Sequence, residues 1–435
     1  MTDEVRRFPV VEAPFAQPKR PAADRAFDHV LLGGLLVLLI FAPLAFGAVE
    51  EWSVFVLRVG AAGLIAIWTL QQVLRTEIDL VVIPLFIPAV FFGVILIMQS
   101  TLPMSAYRHA TIDESLNYVV YGIVLFLAVQ TVRDDANAKT FAAVISVFGF
   151  LLACFAVMQN LVQPGVLYWM RKPVGGAVFG PYVNRNHYAG LMEMLFPIPL
   201  IMGMRDDIPA GKKALWLFCA AVMAGSIVLS QSRGGLTACV VECVALAIYL
   251  RSSHHRDRRF AWEVLVLVSL VGAFVLASAT GNVFGRFGSL GPLDRITIMR
   301  DGMRMFAQHP VIGWGLNTFS VAYPSYRSFY TDLSIDQAHN DYLQLLIETG
   351  ILGFFFMISF IVLLYRTALR RLEYWRSRPL YALVLGSLVG CTGILVHSLL
   401  DFNMHIPANA AMFYALAGIA ASNVGAKKHR REQSG

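Results

Sequence analysis

Twelve stretches of this sequence stay apolar for about 17 to 25 residues, the length at which a helix crosses ~30 Å of hydrocarbon. They fall near 29–48, 54–74, 80–99, 115–132, 139–161, 186–204, 213–230, 234–250, 262–279, 346–365, 380–397 and 407–424. A bilayer interior has no water to satisfy backbone N–H and C=O groups, so such segments fold as helices, which satisfy those groups internally. The expected fold is therefore an all-α integral membrane protein with about 12 transmembrane helices. Composition agrees: 57% of the residues are hydrophobic, 14% are charged and mean hydropathy is +0.62, values that do not suit a soluble protein.

The net charge of +7 could suggest a nucleic-acid partner, but the basic residues lie in short clusters between apolar runs, not along one interleaved patch. They read as topology signals, and no nucleic acid is expected. With the N-terminus cytoplasmic, 24 of the 35 lysines and arginines fall in inner segments: the N-tail, Arg75, Arg133–Lys139, Arg205–Lys213, Arg251–Arg259, Arg366–Arg378 and the C-tail. The positive-inside rule then puts both termini in the cytoplasm. Residues 1–28, with Pro9, Pro14, Pro18 and Pro21, read as a disordered cytoplasmic tail, 29–424 as the membrane domain and 425–435 as a second tail. The first run reads as an uncleaved anchor, with a cleavage site at Ala45-Phe46-Gly47 as the alternative. The tightest boundary is Gln231-Ser232-Arg233-Gly234-Gly235; fusing the two spans there would turn Arg251–Arg259 outward.

All five cysteines lie inside apolar runs, so neither a disulfide framework nor a metal-ligand spacing is visible. One connection, 280–345, is far longer than usual, and such loops commonly carry function. Within it, Asp294–Gln308 places Ile296, Met299, Met303 and Phe306 on one face with Arg295 and Arg304 off it, an amphipathic helix suited to the membrane interface. His309-Pro310 stops that helix and Gly313-Trp314-Gly315 reads as a turn. Tyr323, Tyr326, Phe329 and Tyr330 could stack on sugar rings or sit among headgroups.

The loop ends in SIDQAHNDYLQLLIETGILG (334–353), where a polar segment becomes an apolar helix. Asp336 reads as its N-cap, and His339, Asn340, Gln344 and Glu348 then share one helical face. Four hydrogen-bonding side chains in a stripe must face protein or a water-filled cavity, so the stripe is expected to line an active site at the outer surface.

The same topology puts Arg171, Lys172, Asn184, Arg185, Asn186, His187, Arg233, Arg295, Arg300, His397, Asp401 and His405 on that side. Each has a structural alternative. Arg233 could snorkel to headgroups and Arg295 bind anionic lipid; Asn186 and His187 could start a helix. His397, Asp401 and His405 could form a polar network between the last two helices. Gathered on one face, however, arginines, a histidine able to act as base and an aromatic loop suit a substrate with phosphate and sugar on a lipid.

The pattern His339-Asn340-x-x-Leu343-Gln344-x-x-x-Glu348-x-Gly350 resembles the signature of the O-antigen ligase and O-antigen polymerase family of bacterial membrane glycosyltransferases. Three other stretches are similar: Phe179-Gly180 through Asn184-x-Asn186-His187-x-Ala189, Ser232-Arg233-Gly234-Gly235, and Arg295 with Pro310-x-x-Gly313-x-Gly315. So is the ending from His397 through Asp401-Phe402 to Pro407, and the likeness covers about 179–415. The family's tryptophan a turn after the loop arginine is replaced by Met299 or Arg300, so Arg295 and Arg300 both stand as candidates for that role.

The resemblance implies a GT-C-like enzyme of the bacterial inner membrane that needs no metal or cofactor. It would transfer a glycan, with inversion, from undecaprenyl diphosphate to an acceptor hydroxyl at the periplasmic face. A diphosphate is already a good leaving group, so the site needs cations for the developing charge and a base for the acceptor proton. Arg233 and Arg295 are assigned to the diphosphate, with Arg185 and Arg300 in reserve, and His339 is the base. Asn186, His187, Asn340, Gln344, Glu348 and Asp401 support them. The leading reading is an O-antigen ligase with a lipid A-core acceptor. The alternatives are an O-antigen or exopolysaccharide polymerase whose acceptor is a second lipid-linked glycan, and, from another class, a secondary transporter. A many-helix peptidoglycan polymerase is a further reading whose signatures are not apparent. Metal-dependent chemistry would want an outer acidic pair. Asp113-Glu114 is that pair, since Asp134-Asp135 and Asp206-Asp207 are expected inside.

Overall fold

The computed structural model describes residues 22–75, 78–173, 176–253, 292–332, 334–372 and 379–422. Its helices are α1 (Ala22–Leu44), α2 (Glu51–Leu74), α3 (Phe86–Thr101), α4 (Arg108–Thr131), α5 (Asp135–Val162), α6 (Arg185–Leu195) and α7 (Pro197–Gly203). They continue with α8 (Ala210–Ser230), α9 (Arg233–Ser253), α10 (Pro292–Gln308), α11 (Asp341–Leu372), α12 (Pro379–His397) and α13 (Pro407–Ala421). Among the described residues there is no strand, and the chain is a multi-pass membrane protein in which eight helices are long and apolar enough to cross a bilayer. The apolar helices α3 and α13 are shorter. The run read at 186–204 is broken at Phe196–Pro197 into α6 and α7, where proline takes the first position of the new helix. The run at 262–279, the start of the long loop, the tail before Ala22 and the C-tail lie outside the described residues.

Polar contacts sort the helix ends into two sets. At one end the start of α1 meets the end of α2: Arg75 pairs with Asp24 at 3.0 Å and Gln71 donates to Asp28 at 2.8 Å. Ala22–Asp28, read as tail, are thus the first two turns of α1. Arg133 pairs with Asp79 at 2.6 Å and Leu380 N–H donates to Asp135 at 3.2 Å at that same end. At the other end the α1–α2 turn meets the loop after α5, through Tyr168 O–H to the Leu44 carbonyl and Arg171 with Glu50 at 2.7 Å. The α3–α4 turn meets the long loop there, with Ala106 N–H on the Trp314 carbonyl at 2.7 Å. Arg75 and Arg133, both assigned to inner segments, sit at the first end, and the candidate residues collect at the second.

The centre of the bundle is α12 and α13. Most of α12 is buried, as is nearly every residue of α13. The outer surface carries Val37, Phe55, Val73 and Ile97, each more than 60% exposed, an apolar exterior that only lipid can cover without cost.

The long loop has its own core of Ile298, Met305, Phe319, Tyr323, Ile335, Ala338 and Ile347. Ile296 and Met303, on the face assigned to the interface, are exposed, as an interfacial face would be. The inward face of α10 is Ile298, Asp301 and Met305, where Gly302 lets Ile347 of α11 approach closely. The aromatic segment is largely packing, not a sugar platform. Tyr323 stacks on Phe319 at 4.8 Å, Tyr326 meets Trp314 edge-on at 5.7 Å and Phe329 packs on the loop core, which leaves Tyr330 exposed. Asp301, unnoticed in the sequence, organises the turn: its buried carboxylate accepts from Ser328 N–H and O–H, both at 2.9 Å.

α11 is broken at Gly350, whose φ of 65° and ψ of −171° leave the helical region. The N–H groups freed by the break go to the loop: Ile351 donates to the Pro310 carbonyl at 2.8 Å and Leu352 to Val311 at 3.3 Å. The freed carbonyls of Ile347 and Glu348 accept from Trp314 N–H at 3.1 Å and Gly315 N–H at 3.0 Å. A Cβ at Gly350 would overlap the Val311 carbonyl, and one at Gly313 the Glu348 carbonyl, so glycine is required at both.

Candidate functional site

The site forms where α11 begins against the turn after α12. The expected N-cap, Asp336, takes no part in capping; it accepts from Ser334 O–H at 2.6 Å. Asn340 caps α11 instead, its Oδ1 accepting from Leu343 N–H at 2.9 Å and its Nδ2 donating to the Leu399 carbonyl at 2.9 Å. Asp341 N–H to Ser398 carbonyl at 2.9 Å and Tyr342 O–H to Leu395 carbonyl at 2.7 Å complete the lacing of α11 onto the end of α12.

His339 therefore stands before the helix, at φ 52°, and not on the helical stripe. Its left-handed backbone, unusual for a residue with a Cβ, brings Nδ1 within 3.5 Å of Oδ1 of Asp401, while 19% of the side chain stays exposed. Asp401 is buried; Asn186 donates to its Oδ2 and Phe402 N–H to its Oδ1 at 2.9 Å. Burial alone would raise the Asp401 carboxyl. The contact with His339 and the charges of His187, His339 and His397 outweigh burial and hold it well below the usual carboxylate range. Phe402 is wedged between two imidazoles, with ring centroids 4.8 Å from His187 and 5.2 Å from His339.

The polar stripe thus splits. His339 and Asn340 meet the Asp401 turn, whereas Gln344 and Glu348, both buried, clamp the loop. Glu348 accepts from Asn317 N–H at 2.9 Å and Phe319 N–H at 3.2 Å, and Gln344 accepts from Ala338 N–H at 2.8 Å.

Asn184 is the cap of α6, accepting from Asn186 N–H at 2.9 Å, which frees the Asn186 side chain for Asp401. The trio His397, Asp401 and His405 is not one network. His397 lies 3.1 Å from both oxygens of Glu193, and His405 Nδ1 lies 2.7 Å from Asp341. Burial would lower the His405 imidazolium, but Asp341 outweighs it, together with the charges of Glu348 and Glu114, and it is pushed up to about 9. Glu193 and Asp341 were missed in the sequence. A carboxylate inside an apolar run was the available signal for Glu193.

The cations divide as well. Arg295 donates to the Leu400 carbonyl at 3.0 Å, the residue before Asp401. Arg300 is exposed, about 140° around α10 from Arg295. Arg233, exposed at the start of α9, follows the turn at Gln231 (φ 56°) and precedes Gly234, whose Cα packs on His397. Arg185 lines a separate cavity, described below. The acidic pair Asp113-Glu114 is already engaged: Asp113 with Arg58 at 2.7 Å and Glu114 with the Asn117 amide at 2.9 Å.

An apolar cavity of about 730 Å³ lies between α3, α4 and α11 and is bordered at the site end by Asp341, Ser398 and His405. It is lined by Phe92, Leu96, Val119 and Phe360 among others.

With this geometry in view, residues 218–358 match the family model described as O-antigen ligase. The matched stretch contains Arg233, Arg295, Arg300 and the whole His339-to-Gly350 pattern, so the resemblance read from the motifs is borne out. Comparison with curated proteins returned no match.

Proposed function

Taking the O-antigen ligase match over 218–358 as premise, we propose that this protein transfers a glycan from undecaprenyl diphosphate to a hydroxyl acceptor at the periplasmic face of the bacterial inner membrane. The lipid A core is the preferred acceptor, which makes the reaction that of an O-antigen ligase. The observation that carries the mechanism is the approach of His339 Nδ1 to buried Asp401. With Nδ1 turned to a carboxylate, the imidazole is oriented and Nε2 is the nitrogen left to take a proton.

In the proposed step the acceptor oxygen attacks the anomeric carbon, its O–H proton passes to His339 Nε2, and the bond from that carbon to the diphosphate oxygen breaks with its electron pair leaving on the diphosphate. In-line attack inverts the anomeric carbon. Arg295, tethered to the Asp401 turn, and Arg233, on the α8–α9 turn, offer guanidinium groups to the departing charge. No metal is required by this chemistry.

Depth supports the reading. The apolar run of α11 ends before Arg366, so about 30 Å of helix reaches back to about residue 346, enough for the hydrocarbon layer. His339 and the first turns of α11 then fall at the membrane edge. The apolar cavity beside Asp341 and His405 suits the chain of a lipid-linked donor. A polymerase would use the same donor and base and differ in acceptor.

The test is transfer by the purified protein in nanodiscs, with a lipid-diphosphate glycan donor and either lipid A core or a second lipid-linked glycan. Product on the core without chain growth on the carrier, unchanged by EDTA and absent for His339→Ala, is the expected outcome. Chain growth on the carrier alone would make it a polymerase, and wild-type turnover by His339→Ala would remove the base.

A further inference from the structure

A second cavity, about 420 Å³, lies between the loop after α5, the first turn of α6 and the end of α8. It shares no lining residue with the apolar cavity and differs from it in kind. Lys172 and Arg185 supply positive charge, Asn160, Ser230 and Gln231 supply hydrogen-bonding groups, and no carboxylate lines it among the described residues.

Its architecture is held from below. Gln159 donates to the Gly180 carbonyl at 2.8 Å and accepts from Tyr168 N–H at 2.8 Å, so one side chain pins both arms of the loop. Within that loop the two neighbouring cations have different fates. Arg171 is paired with Glu50 and lies over the Phe46 ring, whereas Lys172 has no carboxylate partner among the described residues. A concave polar wall that carries the exposed Lys172 ammonium beside a guanidinium, with no carboxylate for that ammonium among the described residues, favours an anion with several hydroxyl groups around it.

The cavity is also one residue removed from the proposed chemistry. Arg185 lines it, and the next residue, Asn186, donates to Asp401, which faces His339. The apolar cavity meets the same region from the other helices, at Asp341 and Ser398.

We infer that the Lys172–Arg185 cavity is a subsite for an anionic glycan, one bearing phosphate or carboxylate groups, and that it seats the acceptor while the lipid-linked donor uses the apolar cavity. The inference rests on the glycosyl-transfer reading and reassigns Arg185 from the donor diphosphate to the acceptor. It gives the two substrates separate entries that converge on His339.

The test uses a delipidated phosphorylated core oligosaccharide, and the same oligosaccharide after phosphatase treatment, as binding probes for the full-length protein in nanodiscs. Wild type and His339→Ala should bind the phosphorylated form alike. Lys172→Glu should weaken it at least tenfold, Lys172→Arg should restore it, and the dephosphorylated form should bind weakly to all. In transfer assays Lys172→Glu should raise the KM for the acceptor by a similar factor and leave the KM for the donor unchanged. If transfer proceeds but Lys172→Glu leaves acceptor binding and KM intact, or raises the donor KM instead, the subsite is wrong while the activity stands. If the oligosaccharide binds in a Lys172-dependent way but no glycan is ever transferred, the activity is wrong while the subsite stands.

Discussion

Nδ1 of His339 lies 3.5 Å from Oδ1 of Asp401, a pairing of a left-handed residue before one helix with a buried residue after another. Neither residue alone specifies chemistry. Together they resemble an oriented base, because a carboxylate on one ring nitrogen fixes which nitrogen meets the substrate.

Asp401→Asn should therefore cost about 10²-fold or more in kcat. The amide keeps the size and a hydrogen-bonding group for Asn186 but cannot hold the imidazole in the same state. The check is the transfer rate beside thermal unfolding in detergent, so that lost activity is separated from lost fold. A rate within twofold of wild type would remove Asp401 as the orienting group.

Arg295→Ala should impair transfer more than Arg300→Ala. The first guanidinium reaches the Leu400 carbonyl and the second is exposed on another face of α10. A donor KM raised about tenfold for Arg295→Ala, with Arg300→Ala near wild type, is the expected pattern, in line with about 1.5–3 kcal/mol for a charge-assisted contact. The reverse order would hand the loop-arginine role to Arg300.

Gly350→Ala should lower stability by about 1–3 kcal/mol, from the strained φ alone, and by more where the new Cβ meets the Val311 carbonyl. The loop from Pro310 to Gly315 loses its anchor on α11 at the same time, so protease sensitivity in that loop should rise with the fall in unfolding temperature. An unchanged melting curve would show that the break in α11 does not need glycine.

The His405–Asp341 pair predicts an alkaline limit. His405 is pushed up to about 9 by Asp341, above the unfolded value of ~6.5. Its contribution is then complete below about pH 6.5 and disappears as pH rises through about 9. The unfolding temperature should fall between about pH 7 and pH 10, and Asp341→Asn should flatten that fall while lowering stability at pH 7. Parallel wild-type and Asp341→Asn curves would contradict the linkage.

Several local features were legible from residue order. The break between α8 and α9 falls at the turn the sequence reading placed at 231–235, and most of each apolar run outside 262–279 lies on helix, whereas the break at Pro197 inside the 186–204 run was not read. Arg75 and Arg133 gather at one end because alternation of spans leaves no other arrangement. Residue order hid the inner face of α10, because a helix in a loop can bury a face carrying Asp301 when Ser328 satisfies its carboxylate. The start of α11 misled too: Asp336 and Asn340 are both good caps, and only the Leu399 carbonyl beside Asn340 decides between them.

The sequence by itself determined a helical membrane protein and a motif long enough to point to a family. Hydrophobic length and charge alternation are properties of consecutive residues, so they need no partner to be read. Only the tertiary structure decided that Gln344 and Glu348 clamp a loop while His339 meets Asp401, and that Arg185 turns to a cavity of its own. Those assignments depend on which backbone N–H or carboxylate lies opposite each side chain, and that is set by packing between segments far apart in the chain.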